Sequence, residues 1–379
     1  RTNRGVRSTI TPTTENPRNS IKHSGRTLAV AALVTFGGCA DATPATESPQ
    51  EAGFRVTTVV EGLEHPWGMA FLPGGDMLVT ERPGRLRVVR DGALVEAPVT
   101  GVPEVWSRGQ GGLLDVALHP DFESTGWVYL SYSKPGPGGS ATTAVARGRF
   151  DGSALNDVEE IFEADAFTGN RVHFGSRLAF DGEGHLFVSI GDRGEQDQAQ
   201  NPLNHQGTIV RLHDDGRVPD DNPFVGRADV RPEIWATGIR SPQGLAFRPG
   251  TDQLWETEHG PRGGDELNII RPEVNYGWPT ITYGINYNGT PVGDGISEAP
   301  GLEQPVHYWV PSIATSGLAF YDGEAFPVWR GSAFVGGLAA AHLARLTLEG
   351  DAVVSREELL AVRGQRIRDV RVGPDGLVY

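Results

Sequence analysis

Residues 177–192 read RLAFDGEGHLFVSIGD, and this stretch decides the fold. A short apolar run, RLAF, meets a tight DGEG turn and is followed by a second apolar run, LFVSI, so the pattern predicts two antiparallel strands joined by a hairpin. The same phrase occurs six times: a small or polar residue, a short apolar stretch, a Pro/Asp/Gly turn, then another apolar stretch. The other copies are GMAF (68–71) before LPGGDMLVTE, DVAL (115–118) before HPDF and GWVYLSYS, and GLAF (244–247) before RPGTDQLWETE. GLAF (317–320) before YDGEAFPVWRGSAFVG and DVRV (369–372) before GPDGLVY complete the set. From Phe71 to Leu118, Phe180, Phe247, Phe320 and Val372 the intervals are 47, 62, 67, 73 and 52 residues.

Strand pairs repeated at roughly 40–50 residues plus insertions are the sequence signature of a β-propeller. Six copies predict an all-β, six-bladed β-propeller of four-stranded antiparallel blades. A single small sheet cannot bury its own faces, so neighbouring blades and closure of the ring supply the missing contacts. The variable insertions are expected on one face, with the site among them. The sixth phrase reaches Tyr379 in the middle of a strand, so the last blade is expected to be truncated.

Composition agrees with this reading. With 51 Gly and 27 Pro in 379 residues, a helical bundle is excluded, because both residues break helix interiors. A net charge of -15 has the wrong sign for a duplex-binding surface, so nucleic acid is not expected as a partner. Lysine occurs only at Lys22 and Lys134.

Residues 21–39, IKHSGRTLAVAALVTFGGC, order a basic stretch, a short apolar run and small residues as an export signal does. Cys39 is the only cysteine and follows two glycines, as in a bacterial lipobox. The division is therefore 1–39, an upstream extension plus an export or lipoprotein-type signal; 40–53, a flexible linker; and 54–379, the propeller. The protein is expected to be exported, to the periplasm or outer surface, with a lipid on Cys39 as its membrane attachment.

Several strands end in residues that a structural strand does not require. His173 and Arg177 precede the strand that leads to Asp192, Arg240 lies in TGIRSPQGLAF (237–247), and Gly260 and Pro261 follow TEH. Singly, each has a structural role: a satisfied histidine, a turn cap, a surface ion pair, a turn. Together, GLEHPWGMAF (62–71), GQGGLLDVALHPDF (109–122), VHFGSRLAF (172–180), IGDRG (190–194), TGIRSPQGLAF, EHGPRGGDELNII (258–270), NYGWP (275–279) and RIRDVRVGPDG (366–376) resemble one family. They are similar to the soluble PQQ-dependent aldose sugar dehydrogenases, related to soluble quinoprotein glucose dehydrogenase, over residues 54–379.

The resemblance implies oxidation of the C1 hydroxyl of aldoses to lactones. His173 is implied as the general base, taking the hydroxyl proton while hydride passes to C5 of the quinone, and Asp192 as the carboxylate that fixes its tautomer. Arg240 is implied to stabilise charge on the quinone oxygen, and Gln110 to contact the sugar. Arg366 and Arg368 match paired arginines for the cofactor's carboxylates, with Ser241, Gly337, Leu338 and Ala339 as further cofactor neighbours. Carbonyls of Gly260 and Pro261 are implied as ligands of a Ca2+ that also touches PQQ. Glu266 and the backbone of Tyr276 are implied at a second calcium, with Tyr287 as a further backbone ligand.

Two positions depart from the glucose enzyme's pattern. Ser241 stands where that enzyme has Asn, and Ala339 where it has a Lys on the cofactor's carboxylates. Looser cofactor binding is expected, unless amides of residues 337–339 or Arg345 replace the lost cation. Asp197 and Trp309 sit in expected top-face loops; Trp309 offers either a sugar-stacking face or a buried anchor. With no CxxCH for haem, the electron acceptor is a separate molecule, a quinone or a cytochrome. Two other readings remain open on residues alone: a calcium-dependent propeller lactonase, and a non-catalytic propeller that binds glycan or protein.

Overall fold

A computed structural model describes residues 53–379, together with the backbone of residues 4–12. The export signal, Cys39 and the linker at 40–53, apart from Gly53, lie outside the described residues.

Five four-stranded antiparallel sheets follow one another along the described chain. Blade 1 comprises Pro66–Phe71, Met77–Glu81, Arg85–Arg90 and Ala93–Leu94. Blade 2 comprises Leu113–Leu118, Trp127–Pro135, Ala141–Phe150 and Leu155–Glu163. Blade 3 comprises Leu178–Phe180, Leu186–Ile190, Thr208–Leu212 and Ile234–Ala236. Blade 4 comprises Pro242–Phe247, Leu254–Glu258, Asp265–Ile270 and His307–Trp309. Blade 5 comprises Thr315–Phe320, Ala333–Gly337, Leu343–Glu349 and Ala352–Leu359.

The strands of each blade pair in chain order, and the first strands of successive blades touch one another. Each of the first five repeat phrases therefore lies at the innermost strand of its blade. Middle strands such as Leu186–Ile190 are buried at every position, because neighbouring blades cover both faces of the sheet. Apolar clusters fill the gaps between blades: Tyr129 and Val145 of blade 2 pack on Leu178 and Val188 of blade 3, and Trp255 of blade 4 on Leu318 and Val335 of blade 5.

The blade count differs from the expected six. Among the described residues the sixth phrase forms no four-stranded sheet; its hairpin holds one bridge, Val372 with Val378. Phe54–Glu64 runs alongside, pairs antiparallel with the 4–12 backbone, and places Phe54 in one cluster with Val370 and Val378. Tyr379 meets Phe71 of blade 1 edge to face at 4.8 Å.

The first residue of the phrase has a common task in five of the six copies, a Cβ on Gly244 instead meeting Thr257, Leu318 and Ser316. In the six copies it is Gly68, Asp115, Arg177, Gly244, Gly317 and Asp369. Arg177 Nη1 lies 3.1 Å from Asp115 and 3.0 Å from Asp369, and Arg371 reaches both carboxylates, at 3.0 and 3.2 Å. A Cβ on Gly68 would stand 2.6 Å from Asp115 Oδ1, and one on Gly317 2.3 Å from Asp369 Oδ1. Small and charged residues thus share the crowded centre, which explains the "small or polar" start of the repeat.

Candidate active site

The second strand of blade 3 delivers Asp192 to its end, and the loop before the first strand delivers His173. Gly191 lets the two segments close: a Cβ there would fall 2.2 Å from His173 O. His173 Nδ1 stands 2.6 Å from Asp192 Oδ1, the histidine side chain being 13% exposed and the aspartate fully buried. Asp192 also accepts Gly194 N at 2.7 Å and the indole Nε1 of Trp278 at 2.8 Å. Burial pushes the Asp192 carboxyl up, but His173, the Gly194 amide and Arg240 outweigh it and hold the group below its ordinary value. An ionised Asp192 accepts a hydrogen bond from Nδ1–H of His173 and leaves Nε2 as the basic nitrogen. Gln110 Oε1 accepts the His173 amide at 2.7 Å, so this glutamine positions the base and keeps its own amide N–H groups for a ligand.

Arg240 comes from the turn into blade 4. Its Nη1 donates to the carbonyls of His259 and Gly260, each at 2.9 Å, and its guanidinium lies 5.1 Å from the Trp278 ring. Its buried Nε has no partner. Asp192 N donates to Arg240 O at 2.8 Å, tying the two residues through the main chain.

A cavity of about 860 Å³ reaches the neighbours of these groups, Phe174, Gly175 and His259, though His173, Asp192 and Arg240 do not themselves line it; Gln110, Gln243, Ala339, Arg366 and Arg368 also form its wall. Trp67, Arg82 and Arg363 also line it, and an apolar extension runs along Val56, Met77 and Tyr379. Among the described residues, Arg82, Arg363, Arg366 and Arg368 form no salt bridge. Burial, then the like charges of Arg177 and Arg366, bring Arg368 down to about 9, still protonated at neutral pH. A cluster of unpaired guanidiniums around a cavity suits a polyanion.

Leu338 and Ala339 line this cavity, whereas Gly337, Ser241 and Asp197 do not. The amides of 337–339 donate to the carbonyls of His342, Ala314 and Ile313, and so are unable to replace the missing lysine. Arg345 is also elsewhere, paired with Glu357 at 2.8 Å on the outer strands of blade 5. Ser241 is buried, with its Oγ 3.4 Å from Gln243 Nε2; Asp197 is exposed on the turn at 196–200. Trp309 settles as the buried anchor: it is 1% exposed and packs with Trp255 between blades 4 and 5, so its ring offers no stacking face.

Beside the large cavity is an enclosure of about 10 Å³, bounded by Arg240, Glu258, Gly260, Glu266 and Tyr276, among others. It brings together three of the expected metal-ligating residues, Gly260 from one expected calcium site and Glu266 and Tyr276 from the other. Pro261 follows in the same turn, while Tyr287 is 73% exposed and lines neither cavity. Ladder pairing sets Glu256 opposite Asn268 and Glu258 opposite Glu266, all four buried. Among the described residues, Glu256 Oε1 and Asn268 Oδ1 have no partner. Burial pushes all three carboxyls up; the charge of Glu258 adds to it for Glu256 and Glu266, which lie well above the ordinary range, while Glu258, held back by the Arg240 and Ser241 amides and the Arg240 charge, reaches about 7. A buried row of hard oxygen donors short of positive charge fits a calcium-sized cation.

The profile of the family described as Glucose / Sorbosone dehydrogenase matches residues 63–379. The chain belongs to the glucose/sorbosone dehydrogenase family. Within it, the chain is 47% identical over 334 residues to aldose sugar dehydrogenase YliI of Escherichia coli (strain K12), covering 86% of this chain and 90% of that protein. A crystal structure of a glucose dehydrogenase, 52% identical, superposes with a TM-score of 0.82 over 84% of this chain and 93% of its own. The PQQ-bound aldose sugar dehydrogenase from Streptomyces coelicolor, 30% identical, gives 0.69 over 83% and 86%. These relatives are sugar dehydrogenases by name, as the motifs implied.

Sequence reading of this glucose/sorbosone dehydrogenase missed Gln243, His259, Trp278, Arg82 and the Glu256–Glu258 pair. A signal existed for two of them: glutamates at 256 and 258 share one face of a strand, an unusual choice for a middle strand of a blade. Gln243 and Trp278 had none, because their roles depend on segments far apart in sequence.

Proposed function

We propose that this chain is a PQQ- and Ca2+-dependent aldose dehydrogenase that oxidises the anomeric C1–OH of sugars to lactones. The observation that carries the reading is the His173–Asp192 pair, closed at 2.6 Å, beside a cavity ringed by unpaired arginines. The cofactor, when bound, supplies a two-electron acceptor. His173 Nε2 removes the C1 hydroxyl proton, and Asp192 balances the imidazolium that forms. Arg240, with its unpartnered Nε, lies near for charge that develops as electrons leave the sugar. Arg366 and Arg368 bind carboxylates, and Gln243, 3.2 Å from Arg368 Nη1, orients that guanidinium. Gln110 keeps the base loop in place and offers its amide to the sugar.

Gly260 and Pro261 would hold a Ca2+ that would act as a Lewis acid, and Glu266 with the Tyr276 carbonyl would hold a second, structural Ca2+ that would offset the buried carboxylates. In the same reading the sixth phrase, with Phe54–Glu64, stands at a sixth blade position, since Asp369 shares the central cluster with the other phrase starts. Export through the signal at 21–39, a lipid on Cys39, and a separate quinone or cytochrome acceptor complete the proposal.

Reconstitution tests it. The purified chain is incubated with PQQ and Ca2+, desalted, and given aldoses with a dye acceptor; retained quinone absorbance and sugar-dependent dye reduction are expected. Absence of both overturns the reading and leaves the glycan-binding or lactonase alternative.

A further inference from the structure

Trp278 lies in the insertion between the third and fourth strands of blade 4, far in sequence from blade 3, yet its indole ends on the carboxylate of Asp192. Oδ1 of that carboxylate takes two donors, His173 Nδ1 at 2.6 Å and Gly194 N at 2.7 Å. Oδ2 takes one, Trp278 Nε1 at 2.8 Å, and no other donor among the described residues reaches it. The indole is itself held. Trp278 N donates to Gly238 O at 2.9 Å, its carbonyl accepts Gln200 Nε2 at 2.7 Å, and the ring packs against Ala199 and Val292. Its face meets Arg240 at 5.1 Å.

We propose that Trp278 is a positioning residue for the base: by holding Asp192 Oδ2 it fixes the carboxylate plane, and through it the Nδ1–H tautomer of His173. This rests on His173 being the base of the proposed reaction. Without the indole N–H, a buried carboxylate oxygen has no donor. The carboxylate then turns toward other donors or takes up a proton, and in either case its hold on the imidazole weakens. The base loses its fixed tautomer, whereas the arginine cavity, which Trp278 does not line, keeps its walls; Trp278 also bounds the small enclosure beside Arg240 and Glu266, where the ring of Trp278→Phe still stands. The effect therefore belongs to kcat, with KM and cofactor binding unchanged.

The test uses the full chain with and without cofactor. In the apo-protein, the Nδ1 proton of His173 should give a far-downfield 1H resonance that disappears in Asp192→Asn. Trp278→Phe, which keeps a ring beneath Arg240, should shift or broaden that resonance, and Trp278→His, which restores a ring N–H, should bring it back toward the wild-type position. After reconstitution with PQQ and Ca2+, Trp278→Phe should lower kcat roughly tenfold, with sugar KM and retained quinone absorbance as in wild type. An unchanged resonance together with unchanged kcat overturns the proposal. If Trp278→Phe does not fold, 15N-tryptophan labelling decides: Asp192→Asn should shift the Trp278 indole N–H and speed its exchange, and no change in that signal overturns the proposal. A wild type that shows no PQQ-dependent turnover defeats the functional reading instead, while the apo spectra still decide the role of Trp278.

Discussion

His173 Nδ1 and Asp192 Oδ1 lie 2.6 Å apart, and the two segments that carry them come together over a glycine that no larger residue could replace without a 2.2 Å contact to His173 O. Proton removal is assigned to the free Nε2 of this imidazole. His173→Asn should lower kcat by roughly 10²–10⁴-fold, the usual worth of a positioned general base. Retained quinone absorbance after desalting should match wild type, because the arginines of the cavity are unchanged. Dye-linked turnover and absorbance on the same samples check both halves.

Asp192 gives a pH dependence with a definite sign. Its folded value lies below the ordinary 3.8, so its contribution to stability is present above that pH and is lost as pH falls through the folded value. Asp192→Asn should be less stable than wild type at pH 7, by about 1–3 kcal/mol for a buried carboxylate's hydrogen bonds. The gap should narrow as pH falls below 3.8. Urea unfolding at several pH values measures it, and a gap independent of pH would contradict the assigned ionisation.

How far the sequence could be read follows from the range of the interactions. The repeat was legible because each phrase folds with its immediate neighbour, as RLAF pairs with LFVSI across DGEG. His173, Asp192, Arg240 and Arg368 were picked out as members of a family pattern, and of these the structure brings the His173 and Asp192 side chains into contact. Trp309 was ambiguous, because a tryptophan on an outer strand looks the same in sequence whether it faces sugar or the next blade. Arg345 and the amides of 337–339 were reasonable substitutes for a missing lysine until hydrogen bonding assigned them elsewhere. The sixth blade failed as a count because a repeat phrase fixes only a hairpin, and among the described residues the last hairpin makes a single bridge rather than a four-strand ladder.

The cavity arginines predict how the cofactor is gripped. Arg368→Gln removes a guanidinium that has no carboxylate partner, so the fold should be little affected while PQQ affinity falls roughly tenfold or more. Arg345→Gln should leave affinity unchanged, and Ala339→Lys should tighten it by adding a cation at the cavity wall. PQQ titrations followed by quinone absorbance, at two salt concentrations, rank the three variants.

The row Glu256, Glu258, Glu266 and Asn268 predicts a stabilising cation. Adding Ca2+ to chelator-treated protein should raise the thermal midpoint, with about 2.7 kcal/mol gained at a hundredfold excess over Kd. Glu266→Gln should remove most of that response while raising the midpoint of the metal-free protein, since one of three mutually repelling carboxyls is gone. Midpoints measured with and without the ion, in both proteins, give the comparison.

Arg177 closes the centre of the ring, and its loss should be felt by the whole fold. Its guanidinium lies against Asp115 and Asp369, donates to Gln243 O at 2.6 Å, and stacks 4.2 Å over Trp67. Arg177→Met keeps the stem's volume but leaves two buried carboxylates with Arg371 as their remaining cation. Breaking one member of a buried ion cluster typically costs about 3–5 kcal/mol, mostly from the charge left without a partner. Equilibrium urea unfolding should show that loss, whereas Arg217→Met, which removes an exposed pair with Asp215, should leave the midpoint where it was. The triple change Arg177→Met, Asp115→Asn, Asp369→Asn should recover part of the stability, because it removes the stranded charges along with their partner. A triple variant as unstable as the single one would mean that Arg177 acts through its hydrogen bond to Gln243 and its stacking on Trp67 rather than through charge.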